Sequence, residues 1–169
     1  MVAKYYLSDP HLGHNNISKF RKEFNSTQEH DSFIKENYHS VVRPKDLVTF
    51  AGDVAFTPEA LYDLKTWNGI KSISLGNHDN AEFKKRGVSL AMLQEVFEDR
   101  IFGFYRENEF WISHCPIHPD ELRGKINIHG HIHDHIINDP RYFNICMEHI
   151  NYTPISLEQI RAKIKERDL

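Results

Sequence analysis

The chain has 169 residues, of which 40% are hydrophobic and 27% charged, a composition typical of a folded globular protein and not of a disordered one. This length suits one domain, so we expect residues 1–169 to form a single domain. The net charge of −3 provides no basic excess, and we therefore expect no extended nucleic-acid footprint. The sequence has no apolar run of bilayer length, no signal-peptide core at its start and only two cysteines, features that predict a cytoplasmic protein without membrane contact.

Short apolar runs predict strands in both halves of the chain. The helices are predicted from their capping residues instead. The predicted strands lie at residues 2–8, 47–51, 70–75, 100–105, 109–113, 126–129 and 143–147.

The sequence STQE has the form of a capping box and predicts a helix over residues 26–41. Thr57 and the proline after it predict a second helix that ends near residue 69. A third helix is expected over residues 89–97, and Ser156 caps a last one. Strands alternate with helices in the first half and dominate the second, so we expect an α/β fold in which helices cover a sheet or a pair of sheets.

Polar clusters directly follow five of the predicted strands. Ligand sites of α/β proteins gather beyond the carboxyl ends of strands, where loops converge. Five loops that carry His, Asp or Asn therefore predict one pocket with nitrogen and oxygen donors. The donors are Asp9, His11, Asp53, Asn77, His114, His131 and His133.

Seven donors are too many for one tetrahedral ion. With one bridging carboxylate they would hold two ions about 3.5–4 Å apart, the spacing of two-metal hydrolytic sites. His131 and His133 stand two positions apart, so both are expected to project to the same side of an extended segment. Imidazole, amide and carboxylate donors without cysteine suit first-row transition metals such as Mn, Fe, Ni, Co or Zn.

The order of five short motifs resembles the signature of the calcineurin-like metallophosphoesterase family, which reads D-x-H, G-D, G-N-H-[DE], a single H, and G-H-x-H. This sequence has the motifs in that order, and its length is similar to that of the small bacterial, archaeal and phage members. The resemblance implies a four-layer α/β/β/α sandwich with a dinuclear metal centre. The matching segments are Asp9-Pro10-His11, Gly52-Asp53, Gly76-Asn77-His78-Asp79, His114 and Gly130-His131-Ile132-His133.

Carried over position by position, the resemblance implies that Asp53 bridges two divalent ions, with manganese as the first choice. His78 would be the proton donor, and Asp79 the carboxylate that orients it. His14, Asn77 and His78 are the expected substrate contacts. The chain departs from the common pattern G-D-x-x-D-R, because GDVAF stands there and the second acid and the arginine are absent. The implied ligands are Asp9, His11, Asp53 and His133 for the first ion and Asp53, Asn77, His114 and His131 for the second.

The implied reaction is the hydrolysis of phosphodiesters, with monoesters as a second substrate class. A hydroxide that bridges the two cations would attack phosphorus in line, and His78 would protonate the leaving oxygen. The expected partner is a small phosphoester or a nucleotide.

Two alternatives stay open. A nuclease would share the catalytic core, although the sequence pI of about 6.4 disfavours a long nucleic-acid footprint. A non-catalytic scaffold would bind a partner protein, but such scaffolds typically lose the metal ligands that are present here. Cys115 is expected to be buried or to support the ligands. Of the other histidines, His118, His129 and His135 are expected at the pocket rim or the surface. His30, His39 and His149 are expected to be ordinary surface or capping residues.

Overall fold

The computed structural model describes residues 2–79 and 87–167, whose strands form two sheets. The strands are β1 (Lys4–Leu7), β2 (Leu47–Phe50), β3 (Ile70–Ser74), β4 (Ile101–Phe102), β5 (Phe104–Glu107), β6 (Phe110–Ser113), β7 (Ile126–His129), β8 (Tyr142–Asn144) and β9 (Ile155–Ser156). The α-helices in these residues are α1 (Thr27–Val41), α2 (Pro58–Asp63), α3 (Leu90–Phe97) and α4 (Leu157–Arg167). Short 3₁₀ turns lie at Ile17–Lys19, Leu64–Thr66, Pro119–Glu121 and Met147–His149.

Parallel pairing dominates both sheets. The first sheet has the order β4-β3-β2-β1-β9, in which β1 to β4 are parallel and β9 runs antiparallel to β1. The second sheet has the order β5-β6-β7-β8, in which only the β5–β6 pair is antiparallel among the described strands. The predicted α/β class is therefore confirmed, whereas the four-layer order stays a prediction.

The predicted helix starts are confirmed by their capping contacts. Ser26 Oγ accepts the N–H of Glu29 at 3.1 Å, while the Glu29 carboxylate accepts the N–H of Asn25 and not that of Ser26. Thr57 Oγ1 accepts the N–H of Ala60 at 3.2 Å and opens α2, which is shorter than predicted because a 3₁₀ turn completes the segment. Within the described residues, none of the helices combines the length and the apolar character needed to cross a membrane.

The single strand predicted over residues 100–105 is wrong. The strand is interrupted at Gly103. As a result β4 pairs with β3 in the first sheet, and β5 pairs with β6 in the second. Ser74 Oγ donates to the Gly103 carbonyl at 2.8 Å and holds this crossing point. An apolar run specifies a strand but not the sheet to which each half of it belongs.

Both sheets contribute to one hydrophobic core. Leu7, Phe50 and Ile73 of the first sheet and Ile112 and Ile128 of the second are fully buried in the same cluster. The helices add Ile34, Tyr38, Leu61, Leu93 and Ile160. Because this core fixes both sheets, the loops that leave their carboxyl ends are held on a rigid base.

Gly130 marks the closest approach of the end of β7 to the end of β1. A Cβ atom at this position would overlap Ser8 Oγ and Asp9 Oδ2. The Gly130 N–H also donates to the His114 carbonyl at 2.9 Å. The glycine is therefore required by the space between these chain segments.

We expect Gly130→Ala to lower the free energy of unfolding by about 1–3 kcal/mol, because the new methyl group forces apart a packed contact. Urea denaturation measures the change. Gly103→Ala is the matched control, since open space surrounds that position, and its change should stay within about 0.5 kcal/mol. Equal effects of the two substitutions would contradict the close approach at Gly130.

Candidate metal centre

The seven predicted donors lie together at the carboxyl ends of five strands. β1, β2 and β3 are neighbours in the first sheet and β6 and β7 in the second, so the loops of both sheets meet at one place. The donors are Asp9 and His11 after β1, Asp53 after β2, Asn77 after β3, His114 after β6, and His131 and His133 after β7.

One carboxylate oxygen of Asp53 faces three imidazole rings. Its Oδ2 lies 3.4 Å from His114 Nε2, 3.6 Å from His11 Nε2 and 3.8 Å from His78 Nε2. Its Oδ1 accepts the backbone N–H of His78 at 2.7 Å, which fixes the carboxylate. His11 belongs to the predicted first ligand set and His114 to the second, so Asp53 Oδ2 lies between the two sets.

Two buried polar atoms of the first ligand set lack hydrogen-bond partners among the described residues. They are Asp9 Oδ1 and His11 Nε2, which lie 3.5 Å apart. His133 Nε2 approaches the same oxygen at 3.9 Å. Leaving a buried polar atom unsatisfied costs about 1–3 kcal/mol. A divalent cation held between these atoms would satisfy them, so the residues present fit a metal ion.

The second ligand set is centred on His114. Its Nε2 lies 2.9 Å from Asn77 Oδ1 and 3.1 Å from His131 Nδ1. Its Nδ1 lies 2.8 Å from the Ala51 carbonyl, a contact that orients the ring. A ring nitrogen of this histidine is thereby held towards Asn77, His131 and Asp53.

Cys115 brings a thiol to the second set. Its Sγ and one ring nitrogen each from His114 and His131 all lie within 4.8 Å of one another. Of the two expectations for Cys115, the buried position is wrong, because the residue is exposed at the start of the loop after β6. A supporting role beside the ligands stays a prediction. Thiolates are soft ligands that favour zinc. The donors near the second position are therefore not restricted to nitrogen and oxygen.

Five of the seven donors have a left-handed backbone conformation, which is uncommon for residues other than glycine. The sequence predicts an extended segment at His131 and His133, whereas the backbone there is left-handed. Strain of this kind costs roughly 1–3 kcal/mol per residue and clusters at functional sites. The φ angles are +57° at Asp9, +50° at His11, +54° at Asp53, +71° at His131 and +50° at His133.

Opposite charges compensate the burial of two carboxylates. Asp9 is 0% and Asp53 2% exposed. Burial opposes ionisation of both groups, but His11 and His114 hold the pKa of each carboxyl well below its ordinary value. Burial likewise favours neutral His114, yet Asp53 and Asp9 raise its pKa to about 9. The negative charges of the two buried carboxylates are thus compensated by neighbouring imidazole groups.

Asp79 ties two of the loops together. Its Oδ2 accepts the N–H groups of Asp53 at 2.7 Å and Gly76 at 2.8 Å, and its Oδ1 accepts that of Val54 at 2.9 Å. Burial and the neighbouring Asp53 raise the pKa of the Asp79 carboxyl. This carboxylate therefore shapes the backbone around Asp53. Its expected contact with the ring of His78 stays a prediction.

Arg21 and Glu148 support the site, and sequence reasoning missed both. The Arg21 guanidinium is 3% exposed and donates to the Asp9 carbonyl at 2.7 Å, to the Pro10 carbonyl at 3.3 Å and to Glu148 at 2.8 Å. Glu148 Oε1 also lies 3.4 Å from His133 Nδ1. Burial opposes ionisation of Glu148, but His133 and Arg21 hold its pKa at about 2. One ion pair thus contacts a ligand-bearing loop and a ligand ring.

His30 completes this network, and its expected surface position is wrong. The side chain is fully buried, with Nε2 2.8 Å from Arg21 Nη1 and Nδ1 2.8 Å from Asp31 Oδ1. Asp31 Oδ2 in turn accepts the N–H of Gly13 at 2.8 Å. Burial lowers the pKa of His30, and Arg21 adds to this effect. These residues form no sequence motif, so their contact could not be predicted from the sequence.

The remaining histidines divide into four groups, the first of which is His39 and His149, both half-buried. His118 and His135 have side chains that are 72% and 83% exposed, as expected for surface residues. His129 is buried, against expectation, and burial lowers its pKa to about 4. His14, an expected substrate contact, lines a cleft beside His11 and His78.

Comparison with known proteins identifies relatives that span the chain. No family model matches it. The chain is 31% identical to the uncharacterized protein MJ1445 of Methanocaldococcus jannaschii, over 96% of this chain and 91% of that protein. It is 29% identical to the Gene 66 protein of Mycobacterium phage L5, over 81% of this chain and 80% of that protein.

One of two similar solved structures shows the shared fold. The protein of unknown function AQ665 from Aquifex aeolicus superposes with a TM-score of 0.74 and 24% identity, over 96% of this chain and all of that chain. A structure described as a novel archaeal phosphodiesterase superposes with a TM-score of 0.48 and 19% identity, over 86% of this chain and 82% of that chain.

The buried His30 predicts a pH dependence of stability. Its folded pKa lies below the ordinary value of about 6.5, so the unfolded chain binds more protons below that pH. The contribution of the neutral His30 side chain to the free energy of unfolding is fully present above about pH 6.5. It is lost as the pH falls towards the pKa of His30 in the folded chain. We expect His30→Gln to reduce the loss of stability between pH 7 and pH 5, by at most about 1.4 kcal/mol per pH unit. Urea denaturation at both pH values measures it, and exposed His118→Gln is the control; identical pH slopes for the wild type and His30→Gln would contradict the prediction.

Proposed function

We propose that this chain, which belongs to the same protein family as MJ1445 of Methanocaldococcus jannaschii, is a phosphoesterase that depends on two divalent metal ions. The position of Asp53 Oδ2, within 3.4–3.8 Å of imidazole nitrogens from both ligand sets and from His78, is the observation that carries the proposal. The order of the motifs, which resembles that of calcineurin-like metallophosphoesterases, supports the same reaction. We also propose the four-layer α/β/β/α arrangement that the resemblance implies.

The two ligand sets share Asp53. Two divalent cations, when bound, would neutralise the charge on phosphoryl oxygens and lower the pKa of water. Hydroxide would then be available to attack phosphorus at neutral pH. Manganese is our first choice, although the thiol of Cys115 favours zinc near the second position. The first ion would be held by Asp9, His11, Asp53 and His133, and the second by Asp53, Asn77, His114 and His131.

His78 is the residue that would protonate the leaving oxygen. Its side chain is 25% exposed and lines the cleft, while its Nε2 lies 3.8 Å from Asp53 Oδ2. The ring therefore reaches both the substrate side and the ligand side of the site. Asp53 Oδ1 accepts the backbone N–H of His78. The Asp79 carboxylate accepts the N–H groups of Asp53, in the loop after β2, and of Gly76, in the loop after β3. These bonds fix the backbone from which the ring of His78 projects.

The support behind His133 assigns a positioning role to Glu148. A carboxylate on the far nitrogen of a histidine ligand fixes the ring and makes the other nitrogen more basic. Glu148 contacts His133 Nδ1, and His133 Nε2 faces Asp9 Oδ1. Arg21 holds Glu148 and the Asp9 carbonyl at the same time.

The reaction is tested by hydrolysis of a chromogenic phosphodiester and its monoester by metal-stripped protein titrated with Mn, Ni, Zn and Mg. We expect restored activity, with the diester preferred. Asp53→Asn should bind fewer metal ions and lose activity, because an amide carries no charge to share between two cations. His78→Asn should keep both ions and lose roughly 10²–10⁴-fold in kcat.

His118→Ala is the control, since its side chain is exposed and belongs to neither ligand set. It should match the wild type in metal content and rate. Wild-type rates in Asp53→Asn would contradict the shared carboxylate. Failure of the wild type to bind metal would favour the scaffold alternative.

We further expect Glu148→Gln to weaken metal binding by about 10–100-fold, because the ligand His133 loses its carboxylate partner. Competition with a chromogenic chelator measures the affinity. Glu109→Gln is the matched control, since that carboxylate pairs with Arg161 at the half-exposed surface. Equal affinities of the two variants would show that Glu148 does not position the ligand.

A further inference from the structure

A cleft of about 560 Å³ opens directly beside the first ligand set. Its lining includes His11, His78 and His133, and we call the part of the cleft at these residues its inner end. A phosphoryl group at the metal centre would therefore have its organic substituent in this cleft. The volume is in the range of pockets that hold small organic ligands.

Aromatic rings form a continuous wall along the cleft. The Phe20 ring packs edge-on against His14, with 5.8 Å between centroids, and His14 packs against Phe56 at 4.4 Å. Phe56 in turn lies 5.1 Å from the His78 ring. The wall thus runs from Phe20 to the residue proposed as the proton donor.

Phe20 is the part of this wall that is exposed to solvent. It is 75% exposed and follows the 3₁₀ turn Ile17–Lys19, whose Ile17 is buried and also lines the cleft. A large aromatic side chain held in water at a cleft mouth gains free energy when a second flat apolar surface covers it. The residue therefore provides a stacking surface for a ring.

Among the described residues that line the cleft, acidic side chains outnumber arginines and lysines. Glu23 and Asp134 line the cleft beside it, and Glu23 accepts the Tyr152 hydroxyl. Arg21, the only arginine or lysine among the described lining residues, is engaged by Glu148 and by backbone carbonyls. The cleft therefore favours a substituent that donates N–H or O–H groups over one that carries further negative charge.

We infer that the substrate is a phosphoester whose organic group ends in a flat heteroaromatic ring with N–H donors, as in a nucleoside, and that Phe20 stacks on this ring. The inference rests on the proposed function, since the metal centre is what places the phosphoryl group at the inner end. Phe20 is then a specificity-determining residue, and an aliphatic or sugar-only ester would leave it uncovered.

The test is calorimetric binding of three phosphonates, which ester hydrolysis does not cleave, to the metal-loaded protein. They are adenosine 5′-phosphonate, ribose 5-phosphonate and methylphosphonate. We expect the adenosine compound to bind about tenfold more tightly than the ribose compound, because stacking on an aromatic side chain stabilises a base. Phe20→Ala should abolish this difference and leave ribose phosphonate binding unchanged.

Phe20→Trp should retain the preference, and Phe104→Ala is the control, because Phe104 is an exposed aromatic residue of β5 that does not line the cleft. Equal binding of the three phosphonates, or an unchanged preference in Phe20→Ala, would overturn this inference alone. Absence of metal-dependent binding of every phosphonate would overturn the proposed function as well.

Discussion

The buried negative charge of Asp9 and Asp53 is the constraint on which the rest of the site depends. Two carboxylates that are 0% and 2% exposed cannot remain ionised side by side without dense compensation. Asp9 Oδ2 accepts Ser8 Oγ and the His131 N–H, and Asp53 Oδ1 accepts the His78 N–H. These donors occupy one oxygen of each carboxylate and direct the other towards the imidazole rings. The arrangement thus presents two oxygens, with the histidines, as ligands for cations.

The fold meets this constraint by joining two sheets at their carboxyl edges. Ser8, the residue after β1, donates its N–H to the Ile145 carbonyl and pairs with Cys146 beyond β8, so the two sheets are linked directly at the site. Gly76 lets the loop after β3 pass against Asp53, where a Cβ atom would overlap the carboxylate. The left-handed backbone occurs at the ligands on the loops after β1, β2 and β7, which include the two segments in contact at Gly130. The fold therefore holds residues in strained conformations that a free loop would leave.

Much of this was predictable because it is local. Apolar runs marked the strands, Ser26 and Thr57 marked the helix starts, and polar residues after the strands identified the donors that the structure brings together. The rest depends on contacts between distant residues. Arg21 meets Glu148 across 127 positions, and neither belongs to a motif. The surface position expected for His30 is wrong because the folded chain packs its ring against Arg21, Phe24 and Tyr152. The division of residues 100–105 between two sheets depends on which neighbours β4 and β5 find, which periodicity does not encode.

Arg21 gives the metal centre and the cleft a common support. Its guanidinium donates to the Asp9 and Pro10 carbonyls in the loop that carries Asp9 and His11, and Arg21 also lines the cleft that Phe20 lines. The same ion pair reaches His133 through Glu148. Because a buried arginine must keep its partners to avoid an uncompensated charge, a change in the cleft wall that displaced Arg21 would also disturb Asp9 and His133. If the proposed function holds, substrate recognition and metal binding are coupled through this one buried cation. Variation in specificity would then be easier at Phe20, which makes none of these hydrogen bonds.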